Sequence, residues 1–208
     1  MSYRTLARRA VHEDEVTGSR FIATVAPVAD VKAAEALLAE LRAEHQGASH
    51  HCWAYRVGRE QRFSDDGEPG GTAGRPMLEV LLKRELDHVG AVVVRYFGGR
   101  KLGAGGLARA YGAAVARAVQ AAGERLVEAR ARLLLRAPFS HVDTVLRALD
   151  DVRGAARQEP AYDAEGLRLV VSVPEAELAA LRALLAELTR GEARLEPFPG
   201  GTGRMEEG

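Results

Sequence analysis

The sequence of 208 residues predicts an α+β fold in two domains. Three observations carry that expectation. Residues 90–94 (GAVVV) are a continuous run rich in β-branched side chains, which suits a strand buried on both faces, and helix-period segments flank it. Beyond about residue 128 the pattern turns to strand, helix, strand, strand, helix, strand. The composition, 47% hydrophobic and 28% charged, is that of a globular chain able to bury a core without staples.

Taken in order, the first regular element is a strand over residues 19–26 (SRFIATVA). Asp30 can cap a helix running to about residue 45, with Ala34, Leu37, Leu38 and Leu41 on one stripe. A second strand covers 49–57 and stops at Gly58. Residues 62–75 (RFSDDGEPGGTAGR) hold too many glycines and acids for a periodic element and read as a long loop. Pro76 suits the first turn of a short helix carrying Leu78, Leu81, Leu82 and Leu86. After the 90–94 strand, residues 95–106 (RYFGGRKLGAGG) form a glycine-rich connection. A long helix then presents Leu107, Tyr111, Ala114, Val115, Ala118 and Ala122 on one side, and Gly123 ends it. This completes a first domain, 1–128. In the second, 129–198, strands at 131–135, 155–162, 167–173 and 193–198 alternate with helices at 140–149 and 175–188, and DAEG makes a hairpin. That βαββαβ order is the ferredoxin-like pattern. The tail 199–208 has neither apolar content nor period and reads as disordered.

Charge and cysteine content narrow the class of function. With 29 basic and 29 acidic residues the formal net charge is zero, so any nucleic-acid footprint must be local. Cys52 stands alone, which excludes an internal disulfide and fits the reducing cytoplasm. No run approaches the roughly 18 apolar residues of a membrane span, and the N-terminal segment lacks the apolar stretch of a secretory signal. Oligomeric state leaves no signal in the sequence.

Three segments carry chemistry. The first is the glycine-rich connection. Gly98, Gly99, Gly103, Gly105 and Gly106 lie between a strand and a helix, where backbone N–H groups can cradle an anion. It is not a Walker A loop, and its G-x-G-x-x-A match sits too far from the strand for a dinucleotide turn. No acid occurs between Asp87 and Glu124, whereas Arg95, Arg100, Lys101, Arg109 and Arg117 are all basic. With Tyr96 and Phe97 adjacent, this is the composition that phosphate contact and base stacking use; the same residues equally suit a solvated face over core aromatics. The second segment is the acidic loop. Asp65, Asp66 and Glu68 suit a hard cation such as Mg²⁺, and Gly67, Gly70, Gly71 and Gly74 suit tight turns, an anion nest or close backbone approach. The third is His50, His51 and Cys52, of which His50 and Cys52 share one strand face. Tetrahedral zinc lacks further ligands here and a Cys–His nucleophile lacks an orienting group, so a half-buried strand with a satisfied histidine and an inert thiol is the better account of the run. These motifs call for no cofactor, and metal use stays open.

At HHCWAY (50–55), SDDGEPGGTAGRPML (64–78) and VVVRYFGGRKLGAGGLARAY (92–111) the chain closely resembles the IMPACT/YigZ family. The first family signature falls on Asp65, Asp66, Gly67, Glu68, Pro69, Gly71, Thr72, Ala73, Gly74 and Pro76. The second falls on Arg95, Tyr96, Phe97, Gly98, Gly99, Leu102, Gly103, Gly105, Gly106, Leu107, Arg109, Ala110 and Tyr111. His51, where relatives more often carry asparagine, and Gly70, often serine, depart from the pattern. The resemblance implies a first domain like the second domain of ribosomal protein S5 and a second like those of elongation factor G. It also implies work connected with translation. Eukaryotic relatives restrain a stress kinase by competing for its activating partner, using an extra protein-binding domain not found among these residues. The resulting expectation is a factor with no assigned reaction that binds RNA or a ribosomal component through Arg95, Arg100, Lys101 and Arg109, with Tyr96 stacking. The alternatives are a small-ligand phosphate-binding or Mg²⁺-dependent enzyme using the acidic loop for the metal and the glycine-rich segment for phosphate, with His50 or Cys52 assisting, and a protein-interaction module.

Overall fold

The computed structural model describes residues 2–198, which form two compact units: Tyr3–Val127, and a second beginning at Glu128 that also takes in Ser2. Both mix helix with strand, so the chain is of the α+β class. The tail expected to be disordered lies outside the described residues. Among those residues no helix is long and apolar enough to cross a membrane.

The first unit contains β1 (Tyr3–Leu6), β2 (Ala10–Val16), β3 (Ser19–Pro27), α1 (Val31–Glu44), β4 (His50–Val57), β5 (Glu60–Ser64), α2 (Gly74–Lys83), β6 (Val89–Tyr96), α3 (Gly103–Ala122) and β7 (Glu124–Val127). Five strands make an antiparallel sheet in the order β2-β3-β6-β4-β5, and β1 pairs separately with β7. The central strand β6 explains its own sequence. Val89, Ala91 and Val93 pack with Met77, Leu81, Tyr111 and Val115 of α2 and α3. Val92 and Val94 meet Ile22, Leu37 and Leu41, the last two on α1. A strand with apolar layers on both faces has no position for a polar alternation, hence the unbroken run. The Asp30 carboxylate caps α1 by accepting from the Ala33 N–H at 2.8 Å.

Several boundaries differ from the sequence expectation. β1 and β2 precede residue 19, where the sequence pattern places the first strand. β2 (AVHEDEV) is an edge strand whose alternate acids face solvent, so its apolar signal is weak. β5 occupies the start of the expected loop as the opposite edge, with most of its side chains exposed. α2 starts two residues before Pro76, and Leu86 lies beyond its end. α3 starts at Gly103, so Gly103, Gly105 and Gly106 belong to its first turn and the open connection shrinks to 97–102.

The second unit contains β8 (Arg130–Ala137), a 3₁₀ turn (Phe139–His141), α4 (Val142–Asp150), β9 (Ala156–Arg157), β10 (Ala161–Asp163), β11 (Gly166–Pro174), α5 (Glu175–Leu188) and β12 (Arg194–Pro197). The sheet order is β10-β11-β8-β12, with β9 also on β11. Leu133, Leu135, Leu169 and Val171 alternate onto one face, where Val145 and Leu149 of α4 and Leu181 and Leu185 of α5 cover them.

The turn after β6 is locked by a backbone-on-backbone contact. A Cβ at Gly98 would lie 1.9 Å from the Gly18 carbonyl oxygen, whereas Gly99 has φ +86° and open space around it. Gly98→Ala is therefore expected to lower stability by about 3 kcal/mol, because the Gly18–Gly98 contact must open. Gly99→Ala is expected to cost about 1 kcal/mol, for the left-handed backbone alone. Urea unfolding of the two variants beside the wild type measures the difference.

Candidate functional site

Glu68 lies on the loop between β5 and α2, yet its side chain is only 3% exposed. Its Oε1 accepts from Arg95 Nη1 at 2.6 Å and from the Tyr111 hydroxyl at 2.7 Å. Arg95 stands near the end of β6 and Tyr111 in α3, so one carboxylate ties the acidic loop to both elements of the second signature. The His50 Nε2 lies 3.9 Å from the same oxygen. Its Nδ1–H donates to the Asp66 carbonyl at 2.8 Å. Cys52, on the same strand face, donates its S–H to the Asp65 carbonyl at 3.0 Å and touches the Tyr111 hydroxyl at 3.4 Å. All three sequence motifs thus converge on one buried cluster.

The acids of the loop organise the protein's own backbone. Asp65 accepts the N–H groups of Gly71, Ala73 and Gly74 at 2.7–2.9 Å, so the nest formed by these glycines already holds an anion. A Cβ at Gly74 would lie 2.6 Å from the Ser64 carbonyl oxygen, so the close approach is to the chain itself. Asp66 takes a left-handed backbone, φ +43°, and its carboxylate accepts from the His51 N–H at 2.7 Å while pairing with Arg42 at 2.9 Å. Each of Asp65, Asp66 and Glu68 therefore has internal partners. Among the described residues no group of three or more His, Cys, Asp or Glu side chains is arranged to hold a metal. Two clefts of about 430 and 620 Å³ flank β5, and neither is lined by His50, Asp66 or Gly105.

Burial sets the protonation states. It raises the Cys52 thiol to about 12, against a smaller opposing effect of the Tyr111 hydrogen bond, so the sulfur is a thiol near neutrality. The Tyr111 phenol is pushed far above its ordinary range, again chiefly by burial. His51, on the opposite strand face, is lowered by burial against the attraction of Asp66. The nucleophile role considered for Cys52 has no thiolate to act through.

The basic segment divides in space. Arg95 is 4% exposed and engaged with Glu68 and, through Nη2, with Ser19 Oγ at 3.2 Å. It is thereby removed from the expected surface contacts with phosphate. Arg117 pairs with Asp14. Tyr96 is half-buried, its hydroxyl against His45 Nδ1 at 3.0 Å and its ring under Arg20, so it is not the open stacking platform that its sequence position suggests. Phe97 is the exposed ring. Arg100, Lys101 and Arg109 are exposed, and none pairs with an acid among the described residues. The Arg109 guanidinium folds back to the N-terminal turn of α3, 3.7 Å from where a Cβ at Gly105 would stand. Gly98 N–H donates to the same Ser19 Oγ that Arg95 reaches, which links the buried cluster to the exposed turn. Sequence reasoning gives no weight to Ser19, because a serine at the head of a strand has no distinguishing spacing.

Two expectations follow. Glu68→Ala leaves the Arg95 guanidinium buried without its counter-charge and is expected to cost about 3–5 kcal/mol in urea unfolding, while Glu68→Gln with Arg95→Met recovers much of the loss. Because the folded thiol of Cys52 has the higher pKa, the unfolded chain loses its proton first as pH rises. Its contribution to stability is intact below about pH 8.5 and declines toward about 12. Unfolding midpoints across that window should show a slope that Cys52→Ala reduces.

The Impact N-terminal domain model matches residues 17–119, a span that contains the whole cluster. The chain is 37% identical over 203 residues to the IMPACT family member YvyE of Bacillus subtilis, covering 94% of this chain and 90% of that one. It is 37% identical over 187 residues to YigZ of Escherichia coli, covering 88% and 91%. An IMPACT family member of Thermus thermophilus is 43% identical over 182 residues, covering 86% of this chain and 97% of its own. A crystal structure of a hypothetical protein matches 96% of this chain and 98% of its own with a TM-score of 0.66 and 34% identity. The likeness thus extends well beyond the cluster, and the chain belongs to the IMPACT family.

Proposed function

We propose that the chain is a cytoplasmic factor that binds RNA or an RNA-bearing ribosomal component through the turn between β6 and α3. In this reading the first unit is of the ribosomal protein S5 domain 2 kind and the second is ferredoxin-like. The observation that carries it is the contrast among the bases of the second signature. Arg95 and Arg117 are bound to the protein's own acids, whereas Arg100, Lys101 and Arg109 stand exposed and without an acid partner among the described residues. Unneutralised cations on one fixed turn are what a phosphate backbone requires.

The role of each part follows from its geometry. Ser19, Arg95 and Glu68 hold the turn rather than touching the ligand. Gly99 and Gly103 give it positive φ values of 86° and 68° with no obstruction over them, so phosphate can approach the main chain. Phe97, half exposed beside the turn, offers a face for a base. Arg109 brings positive charge to the uncapped N-terminus of α3, where the helix dipole adds to it. Preformed geometry keeps the ordering cost of binding low.

The test is RNA affinity of Arg100→Glu with Lys101→Glu across a salt series. At physiological salt the double variant is expected to bind about tenfold or more weakly. The slope of log affinity against log salt is expected to fall by about 0.7 for each phosphate that the variant no longer neutralises. Unchanged affinity and slope in a folded variant would defeat the proposal.

A further inference from the structure

The open face of the second unit's sheet carries an arrangement that folding alone does not favour. On β11, β8 and β12 the residues Arg168, Arg136 and Arg194 stand directly opposite one another, Arg136 being the register partner of both others. Their neighbours along the strands, Leu135, Leu169 and Leu195, belong to the helix-covered face, so the three arginines share the other one. Like charges directly opposite across a ladder repel, and here three occupy consecutive strands about 4.8 Å apart.

The protein only partly answers this charge. Asp163 lies 3.7 Å from both Arg136 and Arg168, and Glu196 lies 3.6 Å from Arg136, all beyond hydrogen-bond length. Oδ1 of Asp163 is already held by the hairpin N–H groups of Glu165 and Gly166. Arg194 is exposed and pairs with no acid among the described residues. In the adjacent row Val170 stands opposite Leu134, both partly exposed, and Glu196 completes the row on β12. One row further, the Arg132 guanidinium lies 4.5 Å over the Phe198 ring, and its Nε is buried without a hydrogen-bond partner.

We infer that this face binds single-stranded RNA, with Arg136, Arg168 and Arg194 as a track for phosphates and Leu134, Val170 and Phe198 as the surface for bases. A line of guanidiniums fits a repeating anion better than a single carboxylate, and the planar fork of arginine matches phosphate oxygens. The apolar pair Leu134 and Val170 and the Phe198 ring beside the cations distinguish a nucleic-acid strand, which offers both charge and ring faces, from a purely acidic peptide. The inference rests on the RNA-binding reading above and gives the second unit a contact of its own.

The experiment titrates the full chain against a labelled, mixed-sequence single-stranded RNA at several salt concentrations. Wild type, Arg168→Glu with Arg194→Glu, and Arg100→Glu with Lys101→Glu are compared. The sheet variant is expected to lose about tenfold or more in affinity and to reduce the salt slope by about 1.4. Loss in the turn variant with none in the sheet variant overturns this inference and leaves the earlier reading standing. Loss only in the sheet variant does the reverse, and a wild type that fails to bind RNA even at low salt overturns both. A wild type that binds polyglutamate in place of RNA also overturns the inference. Arg194→Gln supplies the control for folding. It relieves a like-charge contact, so its thermal midpoint should stay level or rise as RNA affinity falls; a lowered midpoint with unchanged affinity overturns the inference.

Discussion

The buried pair of Glu68 and Arg95 is the interaction on which the first unit turns. Two charges only 3% and 5% exposed have lost most of their hydration, and such a loss is offset by close pairing and by further hydrogen bonds to the two groups. Glu68 Oε1 accepts from both Arg95 and Tyr111, and Arg95 donates to Glu68 and Ser19 while its buried Nε has no hydrogen-bond partner. Because these residues come from a loop, a central strand, a long helix and the start of another strand, the pair can form only when all four are in place. A purely apolar contact at the same point would tolerate sliding; a paired charge in a dry interior does not.

That constraint explains why so many residues of the two signatures have structural work. The acidic loop folds around its own carboxylates, with Asp65 over the N-terminal turn of α2 and Asp66 bound to the backbone of β4. Cys52 and Tyr111 fill the space beneath. What this scaffold leaves facing outward is a short turn with exposed cations and glycines. The division between an interior that fixes shape and an exterior that carries charge is what the proposed RNA contact rests on.

Sequence reasoning reaches those parts of the molecule in which a side-chain pattern and a backbone state coincide. α5, residues Glu175–Leu188, has the bounds its period implies, and α1 begins where Asp30 places it. The unbroken run of β6 is readable because burial on both faces leaves an unmistakable composition. β1, β2, β5 and β7 escape because they lie at edges or pair as a short ribbon, where backbone hydrogen bonds rather than apolar alternation hold a strand. The site shows the same division. That Asp65, Glu68 and the glycines matter is legible from their density and from the family resemblance. The burial of Arg95 is not, since only a carboxylate 27 positions earlier neutralises it. Gly98 can be recognised as special, but its reason, a backbone contact with Gly18, is a property of the assembled sheet.

The pairing of β1 with β7 bears on how the polypeptide is made. Tyr3 is the register partner of Val127, and Leu6 of Glu124, so the earliest strand of the first unit waits for the last one. On a ribosome the N-terminal strand emerges long before its partner, and the ribbon can close only after residue 127 has left the exit tunnel. Until then the sheet must assemble from its internal hairpins, with its first residues dangling. Closure across so long a stretch of chain is a late and slow step by its topology. A pause in synthesis just beyond that point would give the first unit time to seal itself before the arginine-rich strands of the second are exposed.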